Sequence, residues 1–263
     1  MTLRHDITGA GEPVLFIHGA LIADAFRPLV AEATLAGQYR LITYHRRGYN
    51  VGEAPAAQLS IAVHATDCRE LLADLGISRA HVVGHSFGGL IALQLAIDSP
   101  TFVATLVLLE PALVLGESGP GYRAAIAEAQ RRFAAGDAEG AVDDFLRRRF
   151  GADYRVQLDG VVPGAFEQAV ANAKVSLDIE MPAAADFHFG PAEARRITQP
   201  ALVVLGANSN ALWPRFGETH RALLDWLPRA EPYVLPNATH AMQLQHPHSL
   251  AVRLVEFFMQ HPL

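Results

Sequence analysis

Ala80-His-Val-Val-Gly-His-Ser-Phe-Gly-Gly-Leu-Ile-Ala-Leu-Gln-Leu-Ala96 runs from an apolar stretch of strand length into a tight turn and then into small and apolar residues of helical period. Gly84 and Gly88 stand two residues either side of Ser86, where a strained strand-to-helix turn needs backbone room. The hydroxyl of Ser86 is thereby presented at a helix N-terminus, whose positive dipole end favours developing negative charge. The alternative is a serine that only caps its helix. His85 adjoins the serine, but neighbours on a sharp turn point apart, so it is read as a residue that packs or shapes the turn.

Outward from this segment, short runs rich in Val, Ile and Leu recur between stretches of helical period. This is the pattern of strands buried on both faces of a parallel sheet. Strands are predicted at Val14–Ile17, Leu41–Tyr44, His81–Gly84, Val103–Leu109, Ala201–Gly206 and Tyr233–Leu235, with one more at about Leu3–Ile7. Helices are predicted at about Ala23–Ala36, Ser60–Leu75, Phe87–Asp98, Pro214–Leu227 and Pro247–Met259. The fold class is α/β, a doubly wound and mostly parallel sheet. The alternation breaks once, over residues 112–196, which read as several helices with a turn at Gly136-Asp137. The expected organisation is a core of residues 1–111 and 197–263 with an inserted helical cap, 112–196, over the strand ends where open α/β folds bind ligands.

The 263 residues carry a formal net charge of −6, which gives no reason to expect nucleic acid or an anionic membrane as partner. The one cysteine, Cys68, excludes an internal disulfide. No apolar run preceded by positive charge opens the chain and none is long enough to span a bilayer, so a soluble cytoplasmic protein is the expectation. No metal-ligand cluster, P-loop or dinucleotide fingerprint is present, and no cofactor is expected.

A second turn follows Val14-Leu-Phe-Ile-His-Gly-Ala20, an apolar strand ending in His18-Gly19. With Arg46-Arg47-Gly48-Tyr49 after the next strand, the glycine-flanked Ser86, the helical break and a histidine before the last helix, nearly the whole chain resembles the α/β-hydrolase family. The resemblance implies Ser86 as nucleophile and an oxyanion hole from the backbone N–H groups of Ala20 and Phe87. His18 is read as structural rather than catalytic, and Arg46 and Arg47 as holding a loop together, with contact to substrate as the alternative. Twelve histidines are present, so the general base must be chosen by position. His240, in Pro236-Asn-Ala-Thr-His240 after the last strand, occupies the loop that carries the base in the resembled family. His246 and His248, beside Pro247, read as surface residues.

The acid is displaced. In most members of that family it is an aspartate shortly after the strand that follows the cap, but Leu205-Gly-Ala-Asn-Ser-Asn-Ala-Leu-Trp213 has Ser209 there, between Asn208 and Asn210. The strand Val103–Leu109 ends instead in Glu110-Pro111. Adjacent parallel strands end at one edge of the sheet, so Glu110 would emerge beside Ser86, with one methylene more reach than aspartate. Its Leu-Glu-Pro is similar to zearalenone-type lactonases and to one branch of the haloalkane dehalogenases. The alternatives are that Glu110 caps a helix or pairs with an arginine, or that serine and histidine act as a dyad assisted by Ser209 or Asn210.

A serine nucleophile, where the resemblance would place an aspartate for dehalogenase or epoxide hydrolase chemistry, points to acyl transfer on a carboxylic ester or lactone. Leu21, Met181, Phe187, Phe189, Leu212, Trp213 and Met242 are candidate substrate contacts, suited to a small hydrophobic ester or lactone, although core packing explains any one of them as well. Rival readings on the same scaffold are a C–C or amide hydrolase or a hydroxynitrile-lyase-like enzyme. From another class comes a non-catalytic binder of small molecules, as some plant hormone receptors of this fold are. The oligomeric state is not encoded in any motif.

Overall fold

A computed structural model describes residues 3–49 and 59–263. Seven strands form one sheet: β1 (His5–Thr8), β2 (Glu12–Ile17), β3 (Tyr39–Tyr44), β4 (Ala80–His85), β5 (Val103–Leu109), β6 (Ala201–Gly206) and β7 (Ala230–Leu235). Their spatial order is β1-β3-β2-β4-β5-β6-β7. Only β1 runs antiparallel to its neighbour, and the strand expected at Leu3–Ile7 lies one or two residues later. The other six strands overlap the expected runs, and β5 and β6 match them residue for residue.

The central strands are buried on both faces and divide the core by alternation. Leu15, Ile17, Val82, Leu106, Leu108 and Val203 join one cluster. Their neighbours Val14, Phe16, Val83, Val107, Leu202 and Val204 join the other. Helices α1 (Ile61–Asp74), α2 (Phe87–Asp98) and α8 (Arg215–Trp226) bury residues in the first cluster, and α9 (Pro247–Gln260) in the second. Removing this apolar surface from water is the main force holding the helices to the sheet. Ser60 caps α1 by accepting from the Val63 N–H at 3.2 Å.

One expected helix is corrected. The stretch Ala23–Ala36 forms two single turns, Arg27–Val30 and Ala33–Ala36, because Glu32 adopts an extended backbone (ψ 119°) between them. The sequence retains helical period there, but Leu29 and Leu35 reach the core from two separate turns.

Between β5 and β6 lie α3 (Gly119–Ala134), α4 (Ala138–Phe150), α5 (Tyr154–Val161), α6 (Ala165–Ala171), a π-helical turn (Val175–Glu180), α7 (Met181–Ala185) and a short turn, Pro191–Ala194. Gly136 (φ 88°) and the Asp137 cap on Gly140 N make the expected turn between α3 and α4. This insertion is fastened to residues just past the carboxyl ends of β2, β3 and β7. Gln168 accepts from Asp24 N, Ser176 accepts from Leu21 N, Glu180 pairs with Arg46, and Phe150 O accepts from Thr239 Oγ1. No helix among the described residues is long and apolar enough to cross a membrane.

Candidate active site

In the sheet register Leu109 pairs with His85, so Ser86 and Glu110 are the first residues past the ends of adjacent strands. Both have positive φ, 53° and 45°, as do Leu21 (72°) and Asn237 (57°). These are the four non-glycine residues so placed among the described ones, and each follows the carboxyl end of a central or edge strand. A left-handed backbone costs such residues free energy, and strain of this kind gathers where function requires it. Ser86 is held by two backbone bonds to the neighbouring strand's exit: Ser86 N donates to Leu109 O and Ala112 N donates to Ser86 O, both 3.0 Å.

The turn at His18-Gly19 lies against the serine. A Cβ on Gly19 would stand 2.9 Å from His85 Nδ1 and 3.1 Å from Ser86 Cβ, and one on Gly88 would stand 2.1 Å from Ile17 O. Only glycine allows the two turns this approach. The Ala20 N–H donates to no group among the described residues, and Phe87 N, at the first position of α2, has no intrahelical acceptor.

Glu110 and His240 meet. Glu110 Oε2 lies 2.6 Å from His240 Nδ1, while Oε1 accepts from Gly206 N at 2.7 Å. Burial pushes the Glu110 carboxyl up to about 7, against the opposing pull of the nearby Ser209 hydroxyl and the Gly206 N–H. Ser209, at the position of the usual acid in the family, thus sits beside Glu110, its hydroxyl buried without a hydrogen bond of good geometry. Burial holds the His240 imidazole well below its ordinary value, with Arg215 and Arg149 adding to the effect. At neutral pH the ring is uncharged and open to a proton.

The His240 ring is lodged between His85 and Phe216, with ring centroids 4.6 Å away on each side. His85 Nε2 donates to the His240 carbonyl at 2.8 Å, and its Nδ1 lies 3.3 Å from the Gln243 side-chain amide. His18 is buried and accepts the Arg46 N–H on Nε2, as a structural residue of the turn does. Arg46 is fully buried, joined to Glu180, to Gly19 O at 2.9 Å, and stacked over the rings of Tyr49 and Phe87. Tyr49 donates to Glu180 at 2.6 Å. Arg47 pairs with Asp67.

The candidate substrate contacts are scattered. Leu21 is buried beneath the insertion, its N–H tied to Ser176 Oγ. Met181 is buried against the Tyr122 hydroxyl and Phe189 against Trp226, and the half-buried Trp213 packs on Tyr122. Leu212 is exposed, Phe187 borders an open groove of about 750 Å³ between α1 and α7 that does not include Ser86, and Met242 lies in the second core cluster. His246 and His248 stand at the start of α9.

Two residues beside the site escaped the sequence reading: Arg149 and Arg215, both buried. A signal for the first was present. Val142, Phe145, Leu146, Arg149 and Phe150 form one helical stripe that is buried throughout, so Arg149 is the member of the Arg147-Arg148-Arg149 run that points inward.

A parallel sheet wound with helices, with a serine turn, a histidine loop and an acid all at its carboxyl edge, defines an α/β hydrolase. The model of the Alpha/beta hydrolase family matches residues 14–253, and the chain belongs to that family. It is 40% identical over 114 residues to the putative carbamate hydrolase RutD of Variovorax paradoxus (strain S110), covering 41% of this chain and 42% of that one. The chain thus matches less than half the length of that relative. It is 28% identical over 267 residues, 98% of each chain, to the putative non-heme bromoperoxidase BpoC of Mycobacterium tuberculosis (strain ATCC 25618 / H37Rv). Among solved structures it is similar to Est816, described as an N-acyl homoserine lactone degrading enzyme, at 25% identity and TM-score 0.74 over 97% of this chain and 96% of that one.

Proposed function

We propose that the protein is a carboxylic ester or lactone hydrolase with Ser86 as nucleophile, His240 as general base and Glu110 as the acid that orients it. The observation that carries this reading is the 2.6 Å contact of Glu110 Oε2 with His240 Nδ1 at the same sheet edge as Ser86. That contact fixes the imidazole proton on Nδ1 and leaves Nε2 free to take a proton.

Ser86 Oγ attacks the carbonyl carbon as its proton passes to His240 Nε2, and the tetrahedral oxyanion is received by the N–H groups of Ala20 and Phe87. His240 then returns the proton to the departing alkoxide, leaving an acyl-serine. Water, deprotonated by His240, attacks that ester and regenerates Ser86, releasing the acid. The helical insertion is the cap that closes the site. The lactone-degrading description of Est816 and the carbamate description of RutD concern the same kind of carbonyl substitution, and favour it here.

Purified protein treated with a fluorophosphonate probe should be labelled on Ser86 and lose its activity on short-chain 4-nitrophenyl esters, and Ser86→Ala should show neither. Absence of both labelling and turnover in the folded wild-type protein overturns the assignment.

A further inference from the structure

Arg149 and Arg215 are 4% and 3% exposed, yet neither has a carboxylate within ion-pair distance among the described residues. Each makes one hydrogen bond to a backbone carbonyl: Arg149 Nη1 to Phe145 O at 2.7 Å and Arg215 Nη2 to Leu113 O at 3.2 Å. Arg149 Nη2 and Arg215 Nε are buried with no partner. Two carboxylates act on Arg215 from beyond ion-pair distance, and both are already engaged: Glu110 by His240 Nδ1 and the Gly206 N–H, and Glu218 by the Ser118 hydroxyl and N–H.

The two guanidinium groups share a box of rings. Both stand over Tyr122, at 5.7 and 4.5 Å, and beside Trp213, at 5.3 and 5.9 Å. They are close enough to repel: after burial itself, Arg215 helps pull Arg149 down to about 10, against the opposing pull of the Tyr122 hydroxyl, which attracts and hydrogen-bonds it. Buried charge without a partner is costly, and two like charges together are costlier. Arg46 shows what a structural arginine looks like in this protein, with a carboxylate, a carbonyl and two ring faces around it.

The box adjoins the reacting groups. Arg215 stands 4.9 Å over Phe216, whose ring lies 4.6 Å from His240. Its acceptor Leu113 is the residue after Ala112, whose N–H holds the Ser86 carbonyl. We propose that Arg149 and Arg215 form an anion subsite that receives a carboxylate carried by the substrate, making the protein a hydrolase of acidic esters or lactones. The proposal deepens the ester or lactone reading and rests on it. A carboxylate there would satisfy the orphaned N–H groups in the bidentate manner guanidinium favours, and would neutralise the repulsion. The aromatic walls exclude the water that would otherwise compete.

Two matched ester pairs test it: the mono-4-nitrophenyl ester of glutaric acid against 4-nitrophenyl valerate, and 3-acetoxybenzoate against phenyl acetate. In at least one pair the acid is expected to be favoured in kcat/KM by tenfold or more, the ratio collapsing toward one in Arg149→Met or Arg215→Met and remaining intermediate in the lysine variants. Separately, saturating glutarate or benzoate should raise the wild-type melting temperature by about 5 °C and not that of either methionine variant. No preference in either pair, or stabilisation by phosphate equal to that by carboxylate, overturns the subsite. Carboxylate stabilisation that depends on both arginines in a protein hydrolysing none of the four esters supports the subsite and overturns the esterase reading instead.

Discussion

His85 Nε2 donates to the backbone carbonyl of His240 at 2.8 Å, so the residue that precedes Ser86 in the chain anchors the loop that carries the proposed base. Burial, then the neighbouring His240, pulls the His85 imidazole down to about 3, so this ring stays neutral and the bond survives throughout the working pH range. His85→Phe keeps the ring and removes the donor. It is expected to lower kcat by about tenfold with little change in KM, and to cost roughly 1–3 kcal/mol for the stranded carbonyl. Steady-state kinetics and chemical denaturation measure the two effects, and His85→Gln should restore part of each. A change confined to KM would place His85 with substrate instead.

Glu110 links activity to stability with opposite signs. Its carboxyl is raised from the ordinary 4.5 to about 7, so between these values the folded chain holds a proton that the unfolded chain has released. The stability this group contributes is fully present below the ordinary value and is lost as pH rises through about 7. Glu110→Gln should therefore gain on the wild type by up to about 3 kcal/mol between pH 4 and pH 8, as read by urea denaturation. Its turnover should fall by about 10³- to 10⁴-fold, since glutamine favours the wrong imidazole tautomer. A stability difference independent of pH would mean that Glu110 is not buried as a carboxylate.

Ser209 stands beside Glu110, so the acid should be transferable between strands. In Glu110→Gln/Ser209→Asp the new carboxylate approaches His240 from the end of β6, and recovery of at least about tenfold in kcat over Glu110→Gln is expected. No recovery in a folded double variant would show that the two positions do not reach the same imidazole nitrogen.

Arg46 and Glu180 form a buried pair that ties the insertion to the turn at Gly19. Burial alone would lower the Arg46 pKa, but Glu180, together with Tyr49 and Tyr44, more than offsets it and the value is raised. Glu180→Gln leaves the guanidinium buried with no counter-charge and should cost about 3–5 kcal/mol, whereas Arg46→Met/Glu180→Leu should recover most of the loss. Denaturant titration of the three proteins checks this. A single variant within about 1 kcal/mol of wild type would show that solvent reaches the arginine.

Most of the sheet was legible in the sequence because its central strands are buried on both faces and read as unbroken apolar runs. Glu110 was legible for a different reason: one carboxylate ends an otherwise apolar strand, and parallel strands must end together. The pairing of Arg46 with Glu180 was not, because 134 residues separate them and nothing local marks Glu180 as the partner. Nor was the bond of His85 to the His240 carbonyl, which lies 155 residues away. The apolar candidates such as Met242 and Phe189 illustrate the limit of composition: hydrophobic size identifies a buried residue without saying which side of the sheet it fills.

Glu110 precedes the helical insertion, and so do Ser86 and the Gly19 turn, leaving His240 as the one proposed catalytic side chain contributed from beyond it. The insertion is therefore a contiguous cassette joined to the sheet at Pro111 and Pro200, removable in principle without touching the proposed acid. Arg149 travels with that cassette and Arg215 stays behind. Exchanging cassettes among relatives would change only the Arg149 half of the proposed anion subsite, so a passage from acidic to neutral substrates would take a swap and a separate change at Arg215, with the proposed catalytic residues left in place.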